Sequence, residues 1–166
     1  MSATVRRTVS GLVVFATMVY MGYYLYLSNN PGVNYRSLRH FWNSMGFLSI
    51  FLGLAAVGLW WTKRNLLGNA KSGAPVFGST VLMLRQSHMV FGWLSFLLGL
   101  GHSVYYLLAN DVRLKFIGTG IVATIVMVLM IYTGIMYHYR ALNIPIVRRI
   151  HLILSMMLAV ILLLHM

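Results

Sequence analysis

The chain of 166 residues has no cysteine, one acidic residue and three prolines. Without cysteine there can be no disulfide, no thiolate zinc site, no Cys-ligated iron–sulfur cluster and no C-x-x-C-H haem attachment. The lone acid, Asp111, excludes the paired carboxylates of a glycosidase and a di-iron carboxylate centre. Neither G-x-x-x-x-G-K-[ST] nor G-x-G-x-x-G occurs, so no nucleotide-binding turn is present. Charge is scarce as well. Only 8% of the residues are charged and 60% are hydrophobic, whereas a soluble domain carries about 25% charged residues of both signs.

What charge there is has one sign: thirteen Lys and Arg against Asp111 give a formal +12. A nucleic-acid binder is basic too, but it keeps its charges on a polar face and does not reach this apolar fraction, which excludes nucleic acid as a partner. The balance predicts an all-α, multi-pass protein in a lipid bilayer, with its charges confined to loops. Five segments have about the 20 apolar residues that a spanning helix needs. They run from about 9 to 27, 41 to 61, 86 to 109, 116 to 139 and 150 to 166, and together they read as one transmembrane domain over 1–166. Breaker residues lie between them: Asn29-Asn30-Pro31-Gly32, a Gly/Asn/Lys stretch from Gly68 to Pro75, Asn110-Asp111, and Asn143 with Pro145. The first segment follows Arg6-Arg7 and has no small-residue cleavage pattern before Asn29, so it reads as a retained span rather than a secretory signal.

Basic residues set the expected orientation. With five spans, the side of the N-terminus holds Arg6, Arg7, Lys63, Arg64, Lys71, Arg85, Arg140, Arg148 and Arg149, and the opposite side holds Arg36, Arg39, Arg113 and Lys115. That asymmetry predicts a cytoplasmic N-terminus in a plasma (inner) membrane.

The remaining polar chemistry is six histidines. His88 and His102 lie fourteen apart on the third segment, and His151 and His165 lie fourteen apart on the fifth. Fourteen helical residues rise about 21 Å and fall some 40° short of four turns, so each pair shares a face with one member toward each side of the bilayer. The two segments run in the same direction, which predicts His88 level with His151 and His102 level with His165. Six histidines give fifteen pairs, and a random pair is fourteen apart with a probability of about 1%, so roughly 0.17 such pairs are expected by chance. A lone intramembrane histidine most often bonds a neighbouring helix. Two matched pairs instead fit the axial ligation of two haem irons, His88/His151 toward the cytoplasm and His102/His165 toward the outside.

Arg85 and Arg148 each stand three residues before the first histidine of a pair, where a guanidinium suits a haem propionate. Gly92, Ser95 and Gly99 on the third segment, and Ser155 and Ala159 on the fifth, offer clearance for a flat macrocycle, although small residues in membrane helices more often mark helix packing. His40 and His138 read first as wet interfacial caps; the sharper reading makes them propionate contacts or proton acceptors beside a quinone. Tyrosines 20, 23, 24 and 26 and Trp60-Trp61 read as interfacial belts.

The run His88-Met-Val-Phe-Gly92-Trp93 followed by His102 resembles the H-x-x-x-G-x9-H helix of ferric-reductase-like transmembrane domains, and Thr133-Gly134, Arg140, Arg148 and His151-x13-His165 look like that family's later part. The H-x13-H frame is also similar to that of the cytochrome b of quinol-oxidising complexes, and Arg39-His40-Phe41-Trp42 faintly resembles the start of cytochrome b561-type helices. The ferric-reductase resemblance covers about residues 80–166 and implies two b-type haems on His88, His102, His151 and His165, with electrons moved across the membrane. The sequence departs from that family in stopping one residue after His165, without a sixth helix or a flavin or nicotinamide domain. The intramolecular donor is thus missing, and an abrupt stop beside a ligand suggests a fragment of a longer protein.

The expectation is a di-haem electron conduit within a larger redox complex, exchanging electrons with a quinone pool or a partner redox subunit, rather than a complete enzyme. Two other classes stay open: a stand-alone haem reductase or oxidase acting on quinol, superoxide or ferric ion, and a haem-free transporter or assembly factor.

Overall fold

In the computed structural model the chain is helical throughout its described residues, with no strand among them. The structure describes residues 3–28, 35–69, 75–108, 114–139 and 144–165, and side chains over 8–28, 38–65, 80–108, 117–137 and 145–165. The helices are α1 (Ala3–Ser28), α2 (Tyr35–Asn69), α3 (Pro75–Leu108), α4 (Leu114–Tyr139) and α5 (Ile144–His165). Each contains a stretch long and apolar enough to cross a membrane, from 21 residues in α1, α4 and α5 to 29 in α3. Large apolar side chains such as Phe51, Leu54, Leu163 and Leu164 are 64–71% exposed. Lipid solvates such surface where water would not, and the chain is a polytopic membrane protein.

All five predicted spans are present, but several helices start earlier than their apolar runs. α3 begins at Pro75 rather than near Gln86, and α5 at Ile144 rather than near Ile150. Helical hydrogen bonding continues wherever the backbone can pair with itself, whereas apolarity marks only the part suited to hydrocarbon. Pro75 and Pro145 fall in the first turns of α3 and α5, where a missing N–H costs nothing. Arg85 and Arg148, expected in flanking loops, therefore lie inside helices. Arg6, Arg7, Arg36, Lys71, Arg113, Lys115 and Arg140, on which the charge asymmetry largely rests, lie outside the described side chains.

The chain divides into two compact units, 1–99 and 100–166, with the boundary inside α3. In the first unit, α1 meets α2 through aromatic rings. Trp42 is fully buried and its Nε1 donates to Ser28 Oγ at 3.2 Å, while Tyr24 stacks on Phe41 with centroids 4.0 Å apart. Tyr24 is thus a packing residue, whereas Tyr20, Tyr23 and Tyr26 are exposed. Trp61 is also exposed, and the Arg64 guanidinium lies 5.6 Å from the Trp60 ring centre.

A reciprocal serine clasp joins α2 to α3. Ser49 Oγ donates to Ser95 O at 2.7 Å and Ser95 Oγ donates to Ser49 O at 2.8 Å. A Cβ on Gly53 would stand 3.2 Å from Ser95 Oγ, so glycine there permits the close approach. Of the two readings of Ser95, clearance for a macrocycle and helix packing, the structure shows packing: its hydroxyl fastens two helices, as small polar residues in membranes commonly do. Two threonine hydroxyls bond within their own helices: Thr17 donates to Val13 O and Thr62 to Gly58 O, both at 2.9 Å.

In the second unit α4 packs along α5 in antiparallel fashion. Thr124 Oγ1 reaches Ser103 Oγ on the last part of α3 at 2.8 Å and Gly120 O in its own helix at 2.9 Å. Ala123 and Val126 of α4 and Val147 of α5 supply buried apolar contacts of this unit.

Candidate functional site: the histidine pairs

All four histidines of the two pairs lie within helices and are half-buried. α3 is unbroken between His88 and His102, and α5 between His151 and His165, so the sequence spacing converts to about 21 Å along each helix.

His102 and His165 meet within the second unit. Their ring centres are 6.4 Å apart and their planes cross at 79°. Two imidazoles that shared one metal through nitrogens at about 2.0–2.1 Å would have ring centres at a comparable separation. The same distance sits toward the long end of ordinary edge-to-face ring contacts. What an edge contact does not require is the way the rings are anchored.

His88, His151 and His165 are each held through Nδ1. In the first unit, His88 Nδ1 donates to Ala56 O on α2 at 2.8 Å. In the second unit, His151 Nδ1 lies 3.1 Å from Met130 O and 3.0 Å from Thr133 Oγ1 on α4. The Thr133 hydroxyl has its own acceptors, Leu129 O at 3.0 Å and Met130 O at 2.9 Å. Its oxygen therefore accepts from Nδ1–H, and both partners of His151 fix the same tautomer. His165 Nδ1 is 2.7 Å from Thr119 Oγ1. A neutral imidazole with its proton on Nδ1 carries the lone pair on Nε2, the arrangement of metal-binding histidines whose second nitrogen is tied to a carbonyl or hydroxyl. His102 packs its ring on Tyr106, with centroids 4.9 Å apart.

Glycines crowd the α5 rings. A Cβ on Gly120 would lie 3.5 Å from His165 Cε1, and a Cβ on Gly134 would lie 3.5 Å from His151 Cε1. Sequence reasoning passed over Thr119 and Gly120 and noted Thr133 and Gly134 only within a resemblance. A signal was present: Thr119-Gly120 and Thr133-Gly134 are themselves fourteen apart, the spacing of the histidines.

The other predicted site residues are placed less tellingly. Arg85 and Arg148 are exposed, each one turn before its histidine. Gly92 has nothing within 4 Å of a built Cβ, which leaves clearance, but Gly11, Gly22, Gly58 and Gly118 share that property. Gly99 is half-buried on α3. Ser155 Oγ donates to His151 O at 2.8 Å, a bond within α5. Gln86, two residues before His88, has a buried Oε1 without a partner among the described residues. An atom left so costs about 1–3 kcal/mol unless something outside the chain satisfies it. His40 is exposed near the start of α2, and the side chain of His138 lies outside the described residues. Among the described residues, no three His, Asp or Glu side chains gather as a metal cluster. The geometry brings one pair of imidazoles together, those of His102 and His165.

No family model matches the chain, and neither the curated proteins nor the solved structures contain a match.

Proposed function

We propose that the chain is a di-haem b-type cytochrome that carries electrons across the membrane as a subunit of a larger redox complex. His102 and His165 would hold one haem iron and His88 and His151 the other. The observation that carries this reading is the combination at His102 and His165: ring centres 6.4 Å apart, crossed ring planes and an Nδ1 that meets a hydroxyl of a neighbouring helix. At His88 and His151 the support is the same Nδ1 anchoring, together with the fourteen-residue spacing on two unbroken helices.

When bound, haem supplies a one-electron couple. The chain's own part is to present Nε2 lone pairs, fix the imidazole planes and surround them with apolar helix that keeps water away. Arg85 and Arg148 would offer counter-charge to propionates at the first histidine of each helix. In this reading the N-terminus is cytoplasmic in a plasma membrane, and the electron partners are a quinone pool or a partner redox subunit. His40 and His138 would serve propionate or quinone on opposite sides.

The deciding experiment is a dithionite-reduced minus oxidised spectrum of the purified protein with its co-purifying partners, combined with haem quantitation. Two haems per chain and an α-band near ~560 nm are expected for bis-histidine b-type ligation. Absence of that band sinks the proposal.

A further inference from the structure

The α4–α5 register carries more than packing. Thr133 meets His151 and Thr119 meets His165; in both pairs the residue numbers sum to 284, the mark of one continuous antiparallel register. Each threonine is followed by a glycine that lies under the same ring. The sequence contains two Thr-Gly dipeptides, and both are used this way. We infer that Thr119-Gly120 and Thr133-Gly134 form a repeated cradle that positions the two α5 histidines and tunes their donor strength, making α4 the element that sets the properties of both redox centres. This rests on the haem reading above.

The physical argument has two parts. At His151 the Nδ1–H is shared between the Thr133 hydroxyl and the Met130 carbonyl, and at His165 the Thr119 hydroxyl meets Nδ1; at both rings the hydroxyl restrains rotation about the Cβ–ring bond. The glycine lets the ring edge lie against the α4 backbone, so that the imidazole is confined from two sides. An imidazole whose Nδ1–H is hydrogen-bonded is a stronger electron donor and favours ferric over ferrous iron. Removing the hydroxyl while keeping the shape weakens that preference and loosens the ring. Threonine to valine makes that change, and threonine to serine restores the hydroxyl. Thr119 and Thr133 are positioning residues in this scheme, since neither reaches the iron.

The test uses the full chain carrying Thr133→Val, Thr119→Val and the matching serine variants, each compared with wild type. Redox titration followed at the α-band, haem dissociation, and the low-spin ferric EPR signal, which responds to the angle between imidazole planes, are read in parallel. Thr133→Val should move the potential of one of the two centres upward, Thr119→Val that of the other. A tenfold loss of ferric preference corresponds to about 59 mV for a one-electron couple. Haem affinity should fall about 10- to 100-fold at the centre affected by Thr119→Val, the usual cost of losing a partner behind a ligand, and less at the centre affected by Thr133→Val, where the Met130 carbonyl still holds Nδ1–H. Serine variants should return both readouts toward wild type. If wild type shows no b-type band, the haem reading fails and this inference fails with it. If wild type binds two haems, and both valine variants keep its potentials, affinities and EPR signals, the cradle is overturned while the haem reading stands. A merely structural role for the hydroxyls, in which both centres respond equally to either valine or serine fails to rescue, also overturns it.

Discussion

Residues 1–99 and 100–166 spend the same small polar side chains in different ways. In the first unit Ser49, Ser95 and Gly53 draw two helices together, with hydroxyls answering main-chain carbonyls in a closed pair. In the second unit Thr119, Gly120, Thr133 and Gly134 also lie where helices cross, but they face imidazoles. His88 fits between the two cases, anchored by a carbonyl of α2 with no hydroxyl taking part in that bond. Small polar residues in apolar helices thus have no fixed meaning. Their role depends on whether the opposite helix offers backbone or a titratable ring.

Several substitutions break or sharpen that contrast. The largest effect belongs to the histidines. If the proposed ligation holds, His102→Ala should remove about half the haem, and the double variant His102→Ala/His88→Ala nearly all of it, because each iron would lose one of its two histidines; unchanged haem per chain would show the ligands to be misassigned. Next comes Trp42→Ala, which empties a fully buried site in the first unit. It should cost about 3–5 kcal/mol in reversible unfolding in detergent, and the spectrum of correctly folded protein should be retained.

Gly134 separates contact from collision. Alanine puts its Cβ 3.5 Å from His151 Cε1, an ordinary contact, and should leave haem content intact. Leucine should displace the ring, lose one haem and destabilise the chain by about 1–3 kcal/mol. Equal haem in both variants would mean that the ring is not held against α4.

Smaller still is Ser95→Ala, which opens half of the clasp. A cost of roughly 0.6 to 1.7 kcal/mol is expected, as for interhelical hydrogen bonds in membranes, with haem unaffected. A double-mutant cycle with Ser49→Ala measures the coupling, and a value near zero would show that the clasp is decorative. Ser155→Ala should do least, within about 0.5 kcal/mol and without spectral change, because its hydroxyl bonds only within its own helix among the described contacts. A spectral change there would restore Ser155 as a residue that lines the cofactor.

The fold was legible to a large degree because apolar runs of spanning length leave the backbone few options besides helix. Helix ends were less legible. Arg85 and Gln86 look like the edge of a span, yet α3 continues back to Pro75, since a charged residue can leave a helix intact and extend toward the interface. The histidine pairs were visible as spacing. Between its two readings, helix packing and clearance for a macrocycle, Ser95 could not be decided from sequence because its hydroxyl says nothing about which neighbour it answers, and Thr119 was overlooked for the same reason.

By itself, then, the sequence determined what is periodic and local: five helices, the lack of cysteine and of paired acids, and the fourteen-residue interval that gives two histidines one helical face. Tertiary structure decided what depends on register between helices. It placed Thr133 against His151 and Thr119 against His165, gave Ser95 to Ser49, and brought His102 within 6.4 Å of His165. A sliding shift of one helix along another leaves every local propensity unchanged while exchanging all of these partners, so only packing can select among them.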